Sequence, residues 1–419
     1  MTKKIFLFWS IVSGAFLLDT VYYIDNERNK NSRNKIFLIK CFVFVEYLQW
    51  KGVKMQDKIC LDLSIGKDFA ISQGMYFPLS VILSNSELKN WYYVNYMLPI
   101  ARLDGANGLS CTMIDSYTYA SEANINGKIM RYSNIDYEFC KQIHDIITLL
   151  CSEIEQRCYC ILFLDYYHLK GAKKQYHEIH YVHEIMFYGY DNIRQVFQCI
   201  GYLNVSFERF ELSYDEVKKA FADAICYIRQ TDGWDAHMCM TLQLVKHKEI
   251  YPYDKSIFLD KLQKYIKGDI LPTYYHEEAL YLNATSETEV ALGKDISALF
   301  LKYIILLKEA LEQENAFQEV SPKYAAFHLY RDSRKALLER MIYFCEQDNK
   351  EKQYENLLRE YKEVVEQSNI IFMLYLKLFV FIQKKDKLKA SKTIDSILIG
   401  LKKIEQIENK VLTQFIESL

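Results

Sequence analysis

Residues Cys158–Asp191, CYCILFLDYYHLKGAKKQYHEIHYVHEIMFYGYD, constrain the fold more than any other stretch. Two apolar runs rich in β-branched and aromatic residues flank a polar loop containing Gly171 and a lysine pair. That pattern predicts strands over Cys158–Tyr167 and Ile179–Tyr190, joined by about a dozen residues. Strand side chains alternate between faces, so Ile179, Tyr181, His183, Ile185 and Phe187 are expected to share one face. His180, Glu184 and Tyr188 are expected on the other. A histidine amid apolar neighbours, followed at the strand end by Gly189-Tyr190-Asp191, is the best functional pointer in the chain.

At 419 residues the chain exceeds one small core and predicts two or three units. Half of it is apolar, and 34 Tyr with 24 Phe predict a strongly aromatic core. A formal net charge of −2 gives no electrostatic ground for a nucleic-acid partner. The lysines are interspersed with acids, as on solvated helix faces. Eleven cysteines without framework spacing read as buried thiols of a cytoplasmic protein.

Near the N-terminus, Lys3-Lys4 and the apolar run Ile5–Leu18 have the outline of an export signal, but the small-x-small cleavage pattern is missing. Residues 1–54 are therefore read as an extension outside the domain proper, with export as the lesser alternative. No stable membrane insertion is expected. Residues 55–250 mix elements. Met75–Leu83 and Ser86–Met97 read as helices, 103–134 as turn-rich with short strands, and a stripe ending at Ile154 as a helix. Gln195–Ile200, Val205–Leu212 and Cys239–Val245 read as strands, and Ser213 opens a helix to about Arg229. Residues 251–290 connect to a helical bundle over 291–419. Its helices are expected at Lys294–Gln313, Lys323–Cys345, Lys352–Glu366, Ile370–Lys384 and Ala390–Glu417. The apolar run Ile370–Ile382 suits a central buried helix better than a membrane span. The class is α+β followed by an all-α region.

D-x-Y-x-L at Asp165–Leu169 and H-x-x-H-E-I-x-x-Y-G-Y-D at His180–Asp191 resemble the histidine half of papain-like cysteine peptidases. Closer still, they resemble the N-terminal domain of the butirosin biosynthesis protein H family. The resemblance implies a papain-like domain over about 55–250. It also implies a cysteine acyltransferase that moves an acyl group from a carrier protein onto an amine during specialised-metabolite assembly. An acyl carrier protein or a peptide would be the partner.

In that family His183 is the matching general base. An orienting carboxylate is expected near Cys199–Tyr202, where this chain has no acid, leaving Asp165 and Asp191 as candidates. Asp191 fits equally as the turn residue closing the hairpin. The nucleophile should open the early helix, where the helix N-terminus favours a thiolate. The helix around Pro78 contains no cysteine. Cys60 precedes it, Cys111 follows it, and Ser80 is the hydroxyl in its place. Two of three catalytic positions depart from the pattern, so the expectation is a cleft used weakly or only for binding. The competing class is a non-catalytic scaffold of a biosynthetic complex.

His177, His180 and His183 stand three apart beside Glu178 and Glu184, but strand alternation turns His180 away from the other two. The spacing is H-E-I-H and not H-E-x-x-H, so no metal site is expected. Phosphate-binding glycine loops are also missing, and no cofactor is expected.

Overall fold

The computed structural model describes residues 55–418 apart from 66–72, 96, 105–107, 114–128, 136–139, 205, 228–238, 245–251, 269–287 and 313–321. The N-terminal extension 1–54 and half of the connecting segment expected over 251–290 lie outside the described residues. The chain divides into two compact units. One comprises the residues up to Leu61 with Tyr132–Gln243, the other Asp62–Arg131 with Leu244–Leu419. The stretch read as a single domain, 55–250, is thus distributed over both.

The first unit is a sheet covered by helices. Its strands are β1 (Lys58–Cys60), β4 (Met130–Ile135), β5 (Cys158–Asp165), β6 (Val182–Asp191), β7 (Val196–Tyr202), β8 (Phe207–Ser213) and β9 (Cys239–Leu244). They run in the order β4-β9-β5-β6-β7-β8, with β1 also on β6. The two strongest apolar runs of the sequence form the middle, because a strand with neighbours on both sides and a covered face must be apolar along its length. Every residue of β5 is buried, as are eight of the ten in β6, and the pair is antiparallel from Cys160↔Phe187 to Asp165↔Val182. Helices α3 (Ile146–Glu155) and α4 (Tyr214–Tyr227) pack against β5 and each other. Asp145 caps α3 by accepting from the Ile147 and Thr148 amides, and Ser213 with Glu216 forms the capping box of α4.

Gly189 has a steric role. β1 lies so close that a Cβ there would stand 2.7 Å from the Ile59 carbonyl oxygen, beside a register shift between Phe187 and Gly189.

The second unit combines α1 (Gln73–Ile82), α2 (Lys89–Tyr93), α5 (Lys255–Lys267), α6 (Ile296–Glu312), α7 (Tyr324–Gln347), α8 (Glu351–Gln383) and α9 (Lys387–Glu417). It also holds a small sheet in the order β10-β2-β3, from Glu289–Leu292, Pro99–Leu103 and Ser110–Met113. Strand β10 falls where helix was expected to begin. The two helices expected over 352–366 and 370–384 are one 33-residue helix. Ser368 sits at the supposed break, but its hydroxyl donates to the Val365 carbonyl and is buried, so the backbone continues. Pro78 lies inside α1.

Helix α8 is not buried all round. Ile371, Tyr375, Leu378 and Ile382 enter the core, whereas Ile370, Met373 and Val380 are exposed. Among the described residues it is the one helix long and apolar enough, by length and composition, to cross a membrane.

A buried polar network joins five helices of this unit. The Arg334 guanidinium (α7) donates to Glu408 Oε2 (α9) at 3.3 Å and to Ser297 Oγ (α6) at 2.9 Å. Tyr265 (α5) and Tyr361 (α8) both donate to Glu408 Oε1, at 2.7 and 2.8 Å. Burial first, and the neighbouring carboxylate as well, holds both phenols well above their ordinary range, so they remain donors. Removing one member of such a pair strands the other charge in the core. Glu408→Ala should lower stability by about 3–5 kcal/mol in chemical denaturation followed by circular dichroism. The double replacement Arg334→Met with Glu408→Leu should restore a large part of that loss. An undiminished midpoint in Glu408→Ala would contradict the assignment.

Candidate functional site

Chemistry-bearing side chains gather where β5 ends and β6 begins. Strand β5 stops at Asp165, whose carboxylate caps a 3-10 turn, Tyr166–His168. Its Oδ1 accepts from the backbone amides of Tyr167 and Tyr181, both at 3.1 Å, and its Oδ2 stands 2.6 Å from His180 Nδ1. Asp165 is completely buried. The His180 ring lies between Tyr167, stacked at 4.3 Å, and Tyr227 of α4, stacked at 4.0 Å. Beside them His168 Nε2 lies 2.5 Å from Asp223 Oδ2, also on α4. Imidazoles held this way keep one tautomer and one ring plane.

His183 lies on the central strand β6, opposite Leu164 of β5. Its ring stacks on Tyr181 at 5.3 Å and meets the edge of Tyr166 at 6.0 Å. Its Nδ1 is 3.4 Å from Glu184 Oε2. Both atoms are buried, and neither has a hydrogen-bond partner among the described residues. Glu184 is 6% exposed, and burial raises its carboxyl above the ordinary value, with His183 pulling weakly the other way.

The remaining candidates stand elsewhere. Asp191 is eight residues farther along the same strand than His183, roughly 26 Å at strand rise. It accepts from the Arg194 amide at 3.0 Å, lies 3.7 Å from Lys58 Nζ and closes the β6–β7 turn. Asp165 orients an imidazole, but that of His180 and not of His183. Ser80 belongs to the second unit, is buried in α1, and donates its hydroxyl to the Tyr76 carbonyl at 2.8 Å, the structural arrangement of a helical serine. Cys111 also belongs to the second unit. It packs against the helical core, and although its residue surface is only partly covered, its thiol is enclosed and pushed up to about 12 by burial. A thiol so enclosed is a poor nucleophile.

In the first unit, burial likewise pushes Cys151 and Cys158 up to about 12 and raises Cys199 well above the ordinary thiol value. The exposed thiols there, among the described side chains, are Cys60 and Cys226. Cys60 pairs with Gly189, six residues along β6 from His183 and roughly 20 Å away at strand rise.

Four members of this constellation stand where the sequence pattern does not place them. Alternation puts His180 on a strand face, but the strand starts only at Val182, and the chain before it passes through a turn with His177 at φ 56°. Asp223 and His168 are 55 residues apart and meet only in the fold. Strand alternation sets Glu184 on the face opposite His183, yet its Oε2 lies 3.4 Å from His183 Nδ1. No protein-family model matches the chain, and no curated protein matches it.

The raised Glu184 carboxyl predicts a pH dependence. Its folded value exceeds its unfolded one, so its contribution to stability is complete below the ordinary glutamate value and declines as pH rises through the folded value. Glutamine never ionises. Glu184→Gln should therefore melt above wild type at about pH 7.5 and level with it at about pH 4. A variant less stable at the higher pH would show that the ionised carboxylate is needed there.

Proposed function

We propose that the sheet unit catalyses acyl or peptidyl transfer in specialised-metabolite assembly, as its resemblance to the butirosin biosynthesis protein H family implies. His183 is its general base. The observation that carries this reading is the His183–Glu184 pair at the head of the central strand. The facing Nδ1 and Oε2 atoms, 3.4 Å apart, have no other partner among the described residues. Contacts of this kind are often loose before substrate arrives and tighten in the complex. Once Nδ1 is held by Glu184, Nε2 is the atom available to a proton.

Among the described residues no thiol of this unit hydrogen-bonds to His183, and in this reading the base acts on the acceptor amine directly. The amine nitrogen attacks the thioester carbonyl, the C–N bond forms and the C–S bond breaks. His183 Nε2 takes the amine proton and passes it to the departing thiolate, leaving amide and thiol. A papain-like arrangement belongs to this proposal as well, and the mixed helix–sheet architecture accommodates it.

A second reading, binding of a carrier-linked acyl group or peptide without turnover, draws on the buried, protonated state of Cys151, Cys158 and Cys199. The full chain incubated with an acyl N-acetylcysteamine thioester and a panel of primary amines separates the two. Amide formation should be detected by mass spectrometry, survive thiol alkylation, and fall by about a hundredfold or more in His183→Ala. Turnover abolished by alkylation would replace direct aminolysis with a cysteine route. Absence of amide with wild type would favour the binding reading.

A further inference from the structure

We propose that Asp165, His180 and Asp223 bind a divalent transition-metal ion of the zinc class, with His168 orienting Asp223 from outside. The site lies apart from the His183–Glu184 pair and uses none of its atoms.

One ligand atom from each of the three residues lies within 4.8 Å of the other two. They arrive from three elements: the end of β5, the turn before β6 and the last turns of α4. Such convergence from distant sequence positions is how folded proteins build metal sites. At metal–ligand distances of about 2.0 Å, tetrahedral ligand atoms stand about 3.3 Å apart. The His180–Asp165 contact, 2.6 Å, would have to open by about 0.7 Å and the wider separations to close.

The surroundings favour a cation. Two carboxylates within a few ångströms of one another repel unless positive charge lies between them. Asp165 is fully buried and receives two backbone amides on Oδ1, while Oδ2 contacts His180 Nδ1, the atom with which it would share the ion. The His180 ring cannot swing away, because Tyr167 and Tyr227 stack on its two faces. His168, 2.5 Å from Asp223 Oδ2, stands where an outer partner fixes a ligating carboxylate. A donor set of one imidazole and two carboxylates suits zinc and its first-row neighbours, and three protein ligands leave a fourth position for water. H-E-x-x-H logic misses such a set, because its ligands are 15 and 43 residues apart in sequence.

The full chain, stripped of metal, is titrated with Zn2+ against a chromophoric chelator and separately loaded with Co2+. One ion should bind per chain, and the cobalt spectrum should lack a sulfur-to-metal charge-transfer band. Affinity should fall by about a hundredfold or more in Asp223→Asn and in His180→Gln, and remain unchanged in His183→Ala. The Asp223 side chain is 42% exposed, so its amide variant keeps the fold and carries the test if His180→Gln does not. A chain that binds no Zn2+ at micromolar free metal overturns the proposal. So does binding that survives Asp223→Asn, or that shows a thiolate band. Acyl transfer by His183 can fail while this site stands, and the reverse.

Discussion

The carboxylate of Asp165 is the point on which the local architecture turns. Strand β5 could not end in a fully buried acid unless every lone pair found a partner, since an unsatisfied buried carboxylate costs several kcal/mol. The partners are the amides of Tyr167 and Tyr181 and the ring of His180. To deliver them the chain must turn back immediately after β5 and return within about fifteen residues. That requirement fixes where β6 can start, and with it the register that sets His183 opposite Leu164. Polar satisfaction at one atom group therefore positions both imidazoles.

Those imidazoles, three residues apart, sit in different settings. His180 is clamped between two phenol rings and bonded to a carboxylate that backbone amides already hold. His183 is half-open, rests against aromatic rings and faces a carboxyl that burial keeps raised. A group with rigid partners is suited to holding something in place. A group with an unmade bond is suited to changing its partner during a reaction. The different roles proposed for the two histidines rest on this difference in setting and not on their spacing.

Much of the sheet unit was legible in the sequence because its strands are apolar enough to announce burial. Cys158–Asp165, Val196–Tyr202, Phe207–Ser213 and Cys239–Leu244 all lie within a few residues of their expected positions. What failed was the start of β6. The alternation Ile179, Tyr181, His183 continues the strand pattern backwards, yet Ile179 and Tyr181 are 59% and 44% exposed and precede the strand. The period-2 signal cannot distinguish a strand from an extended lead-in whose backbone is claimed by Asp165. The same limit hid Asp223, whose place on α4 reads as an ordinary solvated acid until the fold sets it against His168. In the second unit β10 was too short to compete with the helical pattern after it, and Ser368 mimicked a break because its backward hydrogen bond is invisible in sequence.

The second unit buries an ion pair as well, and deeper in a helical core. Arg334 and Glu408 are essentially unexposed, and Tyr265, Tyr361 and Ser297, which bond to them, come from three different helices. A hydrophobic core of Leu, Ile and Phe tolerates small shifts of one helix past another, because dispersion contacts are non-directional. Hydrogen bonds to a buried guanidinium and carboxylate do not tolerate them: a slip of one residue would leave charged atoms unpaired. The network therefore selects one register of α5, α6, α7, α8 and α9 from the several that apolar packing alone would permit. It exchanges part of the stability an all-apolar core would have for a single arrangement. That exchange explains why so aromatic a bundle keeps an arginine and a glutamate at its centre.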